Sequence, residues 1–196
     1  MNYENEITVK VNTTYDKLHD ILLKNNFIIK EEYTVKDTYM INKEINITKL
    51  NDLEVLKKCI LVRDVVDIEK SLVYKNKEYD SEGNIIKQSK IKCPILDIDK
   101  GIKFMEEINY IKLFNIIDKC IVYVNNDNEL VVELVNDKYV LIELESNPEY
   151  INKKYTCYLD MIKELNSYNL PIDKTNYFVK KAVLVLNDTV RSNKWK

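Results

Sequence analysis

The chain has 196 residues, of which 45% are hydrophobic, so it is long enough for one domain with a substantial core but cramped for two. Its 30 basic and 32 acidic residues leave a net charge of -2, which offers no overall field to attract nucleic acid or an anionic membrane. We therefore expect a single domain over residues 1–196, with neither nucleic acid nor membrane as a partner. Any binding of phosphate must be local.

The termini and the cysteines favour a cytoplasmic protein. The first residues have no basic segment followed by an apolar one, and no stretch approaches the ~20 apolar residues of a membrane span. The cysteines are scattered without a Cys-x-x-Cys pair, which favours reduced structural thiols over a disulfide framework or a zinc site. His19 is the single histidine, so mechanisms that need a histidine pair are excluded, and we expect it at the surface or at a helix edge.

The first part of the chain predicts a strand, a helix and then further strands. Residues 6–11 alternate in polarity as a strand does, and Thr13 or Thr14 is suited to cap the helix that follows. Apolar and β-branched residues then predict extended segments at 27–29, 33–41, 58–66 and 70–74.

A hairpin is predicted in the middle of the chain. The run Asp-Ser-Glu-Gly-Asn at residues 80–84 is the strongest turn signal in the sequence. We therefore expect strands near 70–78 and 84–95 to pair in antiparallel fashion around it.

The second half of the chain predicts a helix, three strands and a helical tail. Asp97 or Asp99 is suited to cap a helix that runs to about residue 109. Three strands are predicted at 118–125, 129–135 and 138–145, and two helices at 149–166 and 173–187. An antiparallel group of strands interrupted by helices is an α+β arrangement.

Charged side chains share strand faces near both ends of the chain. Residues two apart in a strand point the same way, so Glu6, Thr8 and Lys10 share one face, as do Glu143 and Glu145. A solvated outer face explains such alternation as well, and from alternation alone we favour that simpler explanation.

Five segments, taken in chain order, resemble the CYTH family, also called the triphosphate tunnel metalloenzymes. They are Glu6–Lys10, Lys36–Tyr39, Ile60–Arg63, Leu72–Lys75 and Leu141–Glu145. That family includes class IV adenylyl cyclases, thiamine triphosphatases and inorganic triphosphatases, and its first strand reads Glu-x-Glu-x-Lys. The resemblance covers roughly residues 4–180. It implies an α+β fold in which an eight-stranded antiparallel β-barrel, closed or nearly closed, forms a polar tunnel with peripheral helices and a helical C-terminal tail.

The resemblance implies that three basic residues bind the phosphates of a triphosphate. They are Lys10, Arg63 and Lys75, and Arg63 is the best suited to a bidentate contact. Apolar residues surround Arg63 in the sequence, so a ligand role explains it better than a place on a solvated surface does.

The resemblance also implies an acidic wall that holds metal. Glu6, Glu143 and Glu145 occupy positions where family members hold metal, and their carboxylate oxygens suit Mg²⁺ or Mn²⁺. Glu133 falls on an apolar strand where a further family acid is expected, and we assign it as the catalytic residue. The metals would polarise the phosphoryl group for attack by water or by a substrate hydroxyl.

Several positions depart from the family pattern. Thr8 stands where the family has an acid. On the strand at 117–123 the family tends to have basic residues, whereas alternation places Asp118 and Cys120 on the tunnel face and turns Lys119 away. A one-residue slip or a bulge would reverse that placement.

Two functions from different classes therefore remain. The first is metal-dependent hydrolysis of an inorganic or organic triphosphate by a monomer or homodimer. The second is a non-catalytic CYTH-like module that binds a phosphorylated or other anionic ligand, or a protein partner. An adenylyl cyclase is the less favoured form of the first, because nothing in the chain identifies an adenine pocket.

Overall fold

The structure is a computed structural model that describes the backbone of residues 6–79 and 85–192 and the side chains of residues 6–76 and 89–192. Its strands are β1 (Glu6–Lys10), β2 (Ile28–Asn42), β3 (Cys59–Val65), β4 (Glu69–Tyr79), β5 (Ile85–Pro94), β6 (Tyr110–Val124), β7 (Glu129–Val135) and β8 (Tyr139–Glu145). Its α-helices are α1 (Tyr15–Lys24), α2 (Asp52–Lys57), α3 (Ile98–Glu107), α4 (Tyr158–Ser167) and α5 (Lys181–Leu186). A short 3-10 turn (Ile47–Lys49) and a π-helical turn (Asn187–Arg191) complete it.

The eight strands form one antiparallel sheet in the order β1-β8-β7-β6-β2-β3-β4-β5. The predicted class, an α+β fold on eight antiparallel strands with peripheral helices, is therefore confirmed. β1 and β5 are the two ends of this order.

The predicted hairpin is confirmed in its strands. β4 pairs with β5 from Ser71 opposite Pro94 to Lys77 opposite Gln88. The turn predicted at residues 80–84 lies outside the described residues. β6 begins at Tyr110 and not near 118, because Asn109 takes a left-handed conformation (φ 70°) after α3 and leads straight into the strand.

Two predicted helices are shorter than expected. Residues 149–157 are not helical: the Glu129 carboxylate accepts hydrogen bonds from the backbone N–H of Glu149 and Tyr150. Residues ahead of α5 join β1 instead, since Thr8 N–H donates to the Tyr177 carbonyl and Val179 N–H donates to the Thr8 carbonyl. Tertiary hydrogen bonds thus override the local helical pattern in both places.

α2 was not predicted, although its start is marked in the sequence. The Asn51 side chain accepts from Glu54 N–H, and the Glu54 carboxylate accepts from Asn51 N–H, which is a complete capping box. With only six residues, this helix is too short to show helical periodicity.

The chain divides into two compact units. Unit 1 contains residues 34–117 and 180–192, and unit 2 contains residues 6–33 and 118–179. β2 and β6 each contribute residues to both units. That residues 1–196 form a single domain stays a prediction. Within the described residues, no helix combines the length and the hydropathy needed to cross a membrane.

In unit 2, one face of the sheet is covered by helices. The buried residues on this face are Ile7, Val9, Ile121, Tyr123, Val132, Ile142 and Leu144, and they pack with Leu18 and Leu22 of α1 and Met161 and Leu165 of α4. Alternation along each strand therefore turns the intervening residues to the opposite face. Those intervening residues include the acidic ones.

A partly buried polar network lies at the C-terminal half of α4. Lys153 Nζ donates to Glu164 Oε2 over 2.9 Å, Tyr168 donates to Glu164 Oε1 over 2.8 Å, and Asn128 Nδ2 donates to the same oxygen over 2.9 Å. Burial raises the pKa of Glu164, but these hydrogen bonds outweigh it and hold the pKa below the ordinary value.

The charge of Glu164 makes this network sensitive to pH. Because the folded-state pKa of Glu164 is depressed, its carboxylate stabilises the fold above the unfolded pKa of about 4.3, and this contribution is lost as the pH falls through the folded value. We expect Glu164→Gln to lower the free energy of unfolding by about 1–3 kcal/mol at pH 7 and by less near pH 3. Urea unfolding at both pH values measures it, with Asp160→Asn as the control for an exposed ion pair. A loss that is the same at both pH values would contradict this account.

The C-terminal turn of unit 1 contacts the start of α2 through Arg191. Arg191 Nε donates to Asp52 Oδ1 over 3.1 Å, and its Nη1 and Nη2 donate to the carbonyls of Ile47 and Leu50 over 3.0 and 2.8 Å. A lysine cannot reproduce this planar set of donors. We expect Arg191→Lys to cost about 1–2 kcal/mol and to speed hydrogen exchange at the backbone amides of α2. Unchanged exchange there would show that the turn does not hold α2.

Candidate functional site

The acidic residues of unit 2 lie on the sheet face opposite the helices. In the register of β1 and β8, Glu6 stands opposite Glu145 and Thr8 opposite Glu143. Directly opposed residues of an antiparallel pair point to the same side, so these side chains share one face.

Three of these acids converge. One carboxylate oxygen each from Glu6, Glu143 and Glu145 lies within 4.8 Å of the others. Glu6 and Glu143 are half-buried and Glu145 is exposed, so the group is open to solvent. A set of hard carboxylate oxygens open to water fits Mg²⁺ or Mn²⁺, because Mg²⁺ usually keeps several of its waters when bound.

Glu133 belongs to a second group on the same face. It stands opposite Cys120 on β6 and opposite Leu141 on β8. Asp118, Cys120 and Glu133 are 1%, 4% and 2% exposed, and their potential ligand atoms lie within 4.8 Å of one another. The predicted catalytic residue is therefore a buried carboxylate beside another one. Lys119 points to the other side and reaches Asp137 at 3.4 Å.

Lys10 lies at the end of β1 on the acidic face. It stands opposite Leu141, its side chain is exposed, and its Nζ is 5.7 Å from the centroid of the Tyr139 ring. A cation over an aromatic face is weakly held, so the Lys10 ammonium stays within reach of solvent and of an anionic ligand.

Arg63, in unit 1, has a carboxylate partner that the sequence reasoning missed. Its Nε donates to Asp37 Oδ1 over 2.7 Å and its Nη2 donates to Asp37 Oδ2 over 2.6 Å. The side chains are 14% and 5% exposed, and the two residues stand opposite each other on β3 and β2. This is a bidentate, largely buried ion pair. Asp37 belongs to the Lys36–Tyr39 segment of the resemblance, but its pairing with Arg63 depends on the register between β2 and β3.

Lys75 and Ser71 share the face of Arg63. Ser71 stands opposite Arg63, and Lys75 lies four residues further along β4, which returns it to the same side. Lys75 is half-buried, whereas Ser71 is 1% exposed. The Ser71 hydroxyl is buried and has no hydrogen-bond partner among the described residues.

Tyr39 and Cys59 form an inert part of the same face of unit 1. Tyr39 is stacked on Phe114 with a centroid distance of 4.4 Å. Burial, and then the charge of Asp37, raise the pKa of Tyr39 far above its ordinary value, so it stays neutral. Burial raises the pKa of Cys59 to about 12, so its thiol is not nucleophilic at neutral pH.

The single histidine lies on the helix side of unit 2. His19 is half-buried, and its Nδ1 is 2.7 Å from the hydroxyl of Tyr123, which is in turn 3.0 Å from the Tyr15 hydroxyl. Tyr123 belongs to the core face of unit 2, so this network lies on the side of the sheet that the helices cover.

This architecture is similar to that of several solved structures. No protein-family model and no curated protein matches the chain. A candidate adenylyl cyclase from Hippeastrum, described as having a dominant triphosphatase activity, matches with a TM-score of 0.62 at 13% identity over 98% of this chain and 97% of that one. A candidate adenylate cyclase from Vibrio parahaemolyticus matches with a TM-score of 0.58 at 9% identity over 93% and 98% of the two chains.

The chain has the CYTH fold. A third structure, a chain of the Schizosaccharomyces pombe Mediator head module, matches with a TM-score of 0.55 at 8% identity over 86% of this chain and 96% of that one. At such identities the likeness shows the CYTH fold alone, which agrees with the sequence resemblance.

Within this CYTH fold the predicted site residues are divided between the units. Unit 2 contains Lys10 and the four acids, Glu6, Glu133, Glu143 and Glu145. Unit 1 contains Arg63 and Lys75. The structure brings the three predicted metal ligands together, groups Glu133 with Asp118 and Cys120, and adds Asp37 to Arg63.

Proposed function

We propose that the protein is a metal-dependent phosphohydrolase that acts on a triphosphate, either inorganic or organic. The convergence of Glu6, Glu143 and Glu145 on the face of unit 2 opposite α1 and α4, in a CYTH fold, is the observation that best supports it. The proposal includes a small-molecule substrate, a cytoplasmic location and a monomer or homodimer.

The proposed metal ligands are Glu6, Glu143 and Glu145, with Mg²⁺ or Mn²⁺ as the ion. Their solvent access would let the ion keep water ligands while it also contacts phosphate oxygens. Bound there, the ion would supply positive charge to the phosphoryl oxygens as their negative charge redistributes in the transition state. Thr8 is 7% exposed and stands opposite Glu143, so it offers a hydroxyl where the family has a carboxylate.

The proposed phosphate contacts are Lys10, Arg63 and Lys75. A triphosphate carries about four negative charges. The charge of Arg63 is already matched by the Asp37 carboxylate at 2.6 Å, so these three side chains do not balance a bare triphosphate. We therefore propose that the substrate binds as its metal complex. Binding of tripolyphosphate should then fall sharply when the divalent cation is removed.

Glu133 is the proposed general base. It would accept a proton from the attacking water as the water oxygen bonds to phosphorus and the bond from that phosphorus to the leaving phosphate oxygen breaks. Burial at 2% exposure favours this role, because a carboxylate held in a dry site keeps a fixed orientation.

Phosphate release from tripolyphosphate, ATP and thiamine triphosphate tests the proposal. The purified wild-type chain is assayed with Mg²⁺, with Mn²⁺ and with a chelator. We expect turnover of at least one triphosphate that depends on the metal and stops with the chelator. No turnover of any of the three with either metal would reject the enzymatic function.

The second candidate function is a non-catalytic binding module. Two observations favour it: the same fold occurs in a chain of the Mediator head module, and Asp118 and Cys120 are buried on the face where the family tends to have basic residues. A catalytically inactive wild type that still binds tripolyphosphate in calorimetry would support this module over the enzyme.

A further inference from the structure

The Asp37–Arg63 pair fixes the orientation of a guanidinium group. Asp37 accepts from Nε and from Nη2, which lie along one edge of the planar group. Two hydrogen bonds to one carboxylate fix the plane of the guanidinium group, whereas a single hydrogen bond would allow the group to rotate. The direction of the Nη1 side of Arg63 is therefore determined by Asp37.

We propose that Asp37 is a positioning residue for phosphate binding: it holds Arg63 in the orientation in which the guanidinium meets an oxygen of the bound triphosphate. This inference rests on the proposed function and assigns a role to a residue outside the seven named above. Asp37 itself does not contact the substrate.

The unequal burial of Asp37 and Arg63 supports a role for Asp37 in positioning Arg63. The Asp37 side chain is 5% exposed, whereas that of Arg63 is 14% exposed, so the carboxylate is the inner member and the guanidinium the outer one. An ion pair that served packing alone would be replaceable by apolar residues of similar volume, since a buried pair rarely adds net stability. Because the Arg63 guanidinium is the more exposed member of the pair, it can contact a ligand while Asp37 holds it in place.

A row of residues across three strands favours the binding of an anion beside Arg63. Asp37 on β2, Arg63 on β3 and Ser71 on β4 stand opposite one another in turn and point to the same side. The Ser71 hydroxyl is buried and makes no hydrogen bond with any described residue. Leaving a buried hydroxyl unsatisfied is costly, and a phosphate oxygen beside Arg63 would accept a hydrogen bond from it. We expect Ser71→Ala to weaken binding by a few-fold, less than the loss of Asp37.

A double-mutant cycle tests whether Asp37 acts through Arg63. Calorimetry with tripolyphosphate and Mg²⁺, together with kcat and KM for the same substrate, is measured for Asp37→Asn, Arg63→Lys and the double variant. We expect Asp37→Asn to weaken affinity and raise KM by roughly 10- to 100-fold, and to add little in the Arg63→Lys background. Asp64→Asn is the matched control, because Asp64 follows Arg63 on β3 and points to the other face. It should leave affinity and KM unchanged.

Nuclear magnetic resonance of the arginine side chains supplies a readout that does not depend on activity. The chain has two arginines, Arg63 and Arg191, so Arg191→Lys assigns the Nε–H signals. We expect the Arg63 signal to be protected from exchange in the wild type and to lose that protection in Asp37→Asn. If Asp37→Asn does not fold, Asp37→Glu retains the charge and displaces the guanidinium, and is measured in the same way.

Three results would overturn the inference. One is wild-type affinity in Asp37→Asn although the Arg63 signal has lost its protection. Another is a loss of affinity that is as large in the Arg63→Lys background as in the wild type, since Asp37 would then act independently of Arg63. The last is a wild type that neither binds nor hydrolyses tripolyphosphate, ATP or thiamine triphosphate, which rejects the proposed function as well and is seen without any variant.

Discussion

Replacing Glu143 by glutamine is expected to lower metal-dependent phosphate release from tripolyphosphate by about 100-fold or more, which corresponds to about 2.7 kcal/mol of transition-state stabilisation. Glutamine keeps the size of the side chain and removes its charge, so the oxygen cluster with Glu6 and Glu145 loses a ligand with little effect on packing. The assay measures initial rates across a Mg²⁺ or Mn²⁺ titration. Mn²⁺ binding followed by electron paramagnetic resonance measures the loss of metal affinity directly.

The control for this variant is Glu106→Gln, because Glu106 is exposed on α3 and lies outside the acidic cluster. It should retain the wild-type rate and metal affinity. Wild-type activity and Mn²⁺ affinity in Glu143→Gln would show that Glu143 does not hold the metal.

Replacing Arg63 by alanine is expected to lower the free energy of unfolding by about 3–5 kcal/mol. The substitution leaves the 4% exposed Asp37 without the guanidinium that donates two hydrogen bonds to its carboxylate. Urea unfolding at pH 7 measures the loss, and an unchanged slope with denaturant shows that both proteins unfold in the same way.

A paired apolar replacement separates lost charge from lost packing. In Arg63→Met with Asp37→Leu, both charges of the pair are removed together, and we expect most of the lost stability to return. A double variant as unstable as Arg63→Ala would mean that packing or other contacts of Arg63, and not the isolated carboxylate, account for the loss. A cost below about 1 kcal/mol for Arg63→Ala would show that the pair is not effectively buried.

The strands were predictable because their signals are local. Period-two alternation and turn residues lie within a few positions of each other, and the left-handed Asn136 and Asp137 between β7 and β8 are of the types that a tight hairpin turn prefers. The faces of Glu6, Glu143 and Glu145 follow from alternation in the same way. Their convergence needed the register between β1 and β8.

The parts that could not be predicted depend on contacts that are distant in sequence. Asp37 and Arg63 are 26 positions apart, and a register shifted by one residue would have turned one of them to the other face. Residues 149–157 have helical composition, yet the carboxylate of Glu129 holds their backbone N–H groups in another conformation. No local pattern encodes such partners.

The pairing of β1 with β8 has a consequence for synthesis of the protein. Glu6 is synthesised before its partner Glu145, which follows only after β7 has been made, so at usual elongation rates β1 waits on the order of 10 s for its pairing strand. During that time Ile7 and Val9, which are fully buried in the finished fold, remain exposed on an unpaired strand. β1, which carries the first residue of the proposed metal site, is thus paired only once β8 has been made, and the nascent chain is open to chaperones in the interval between the two strands.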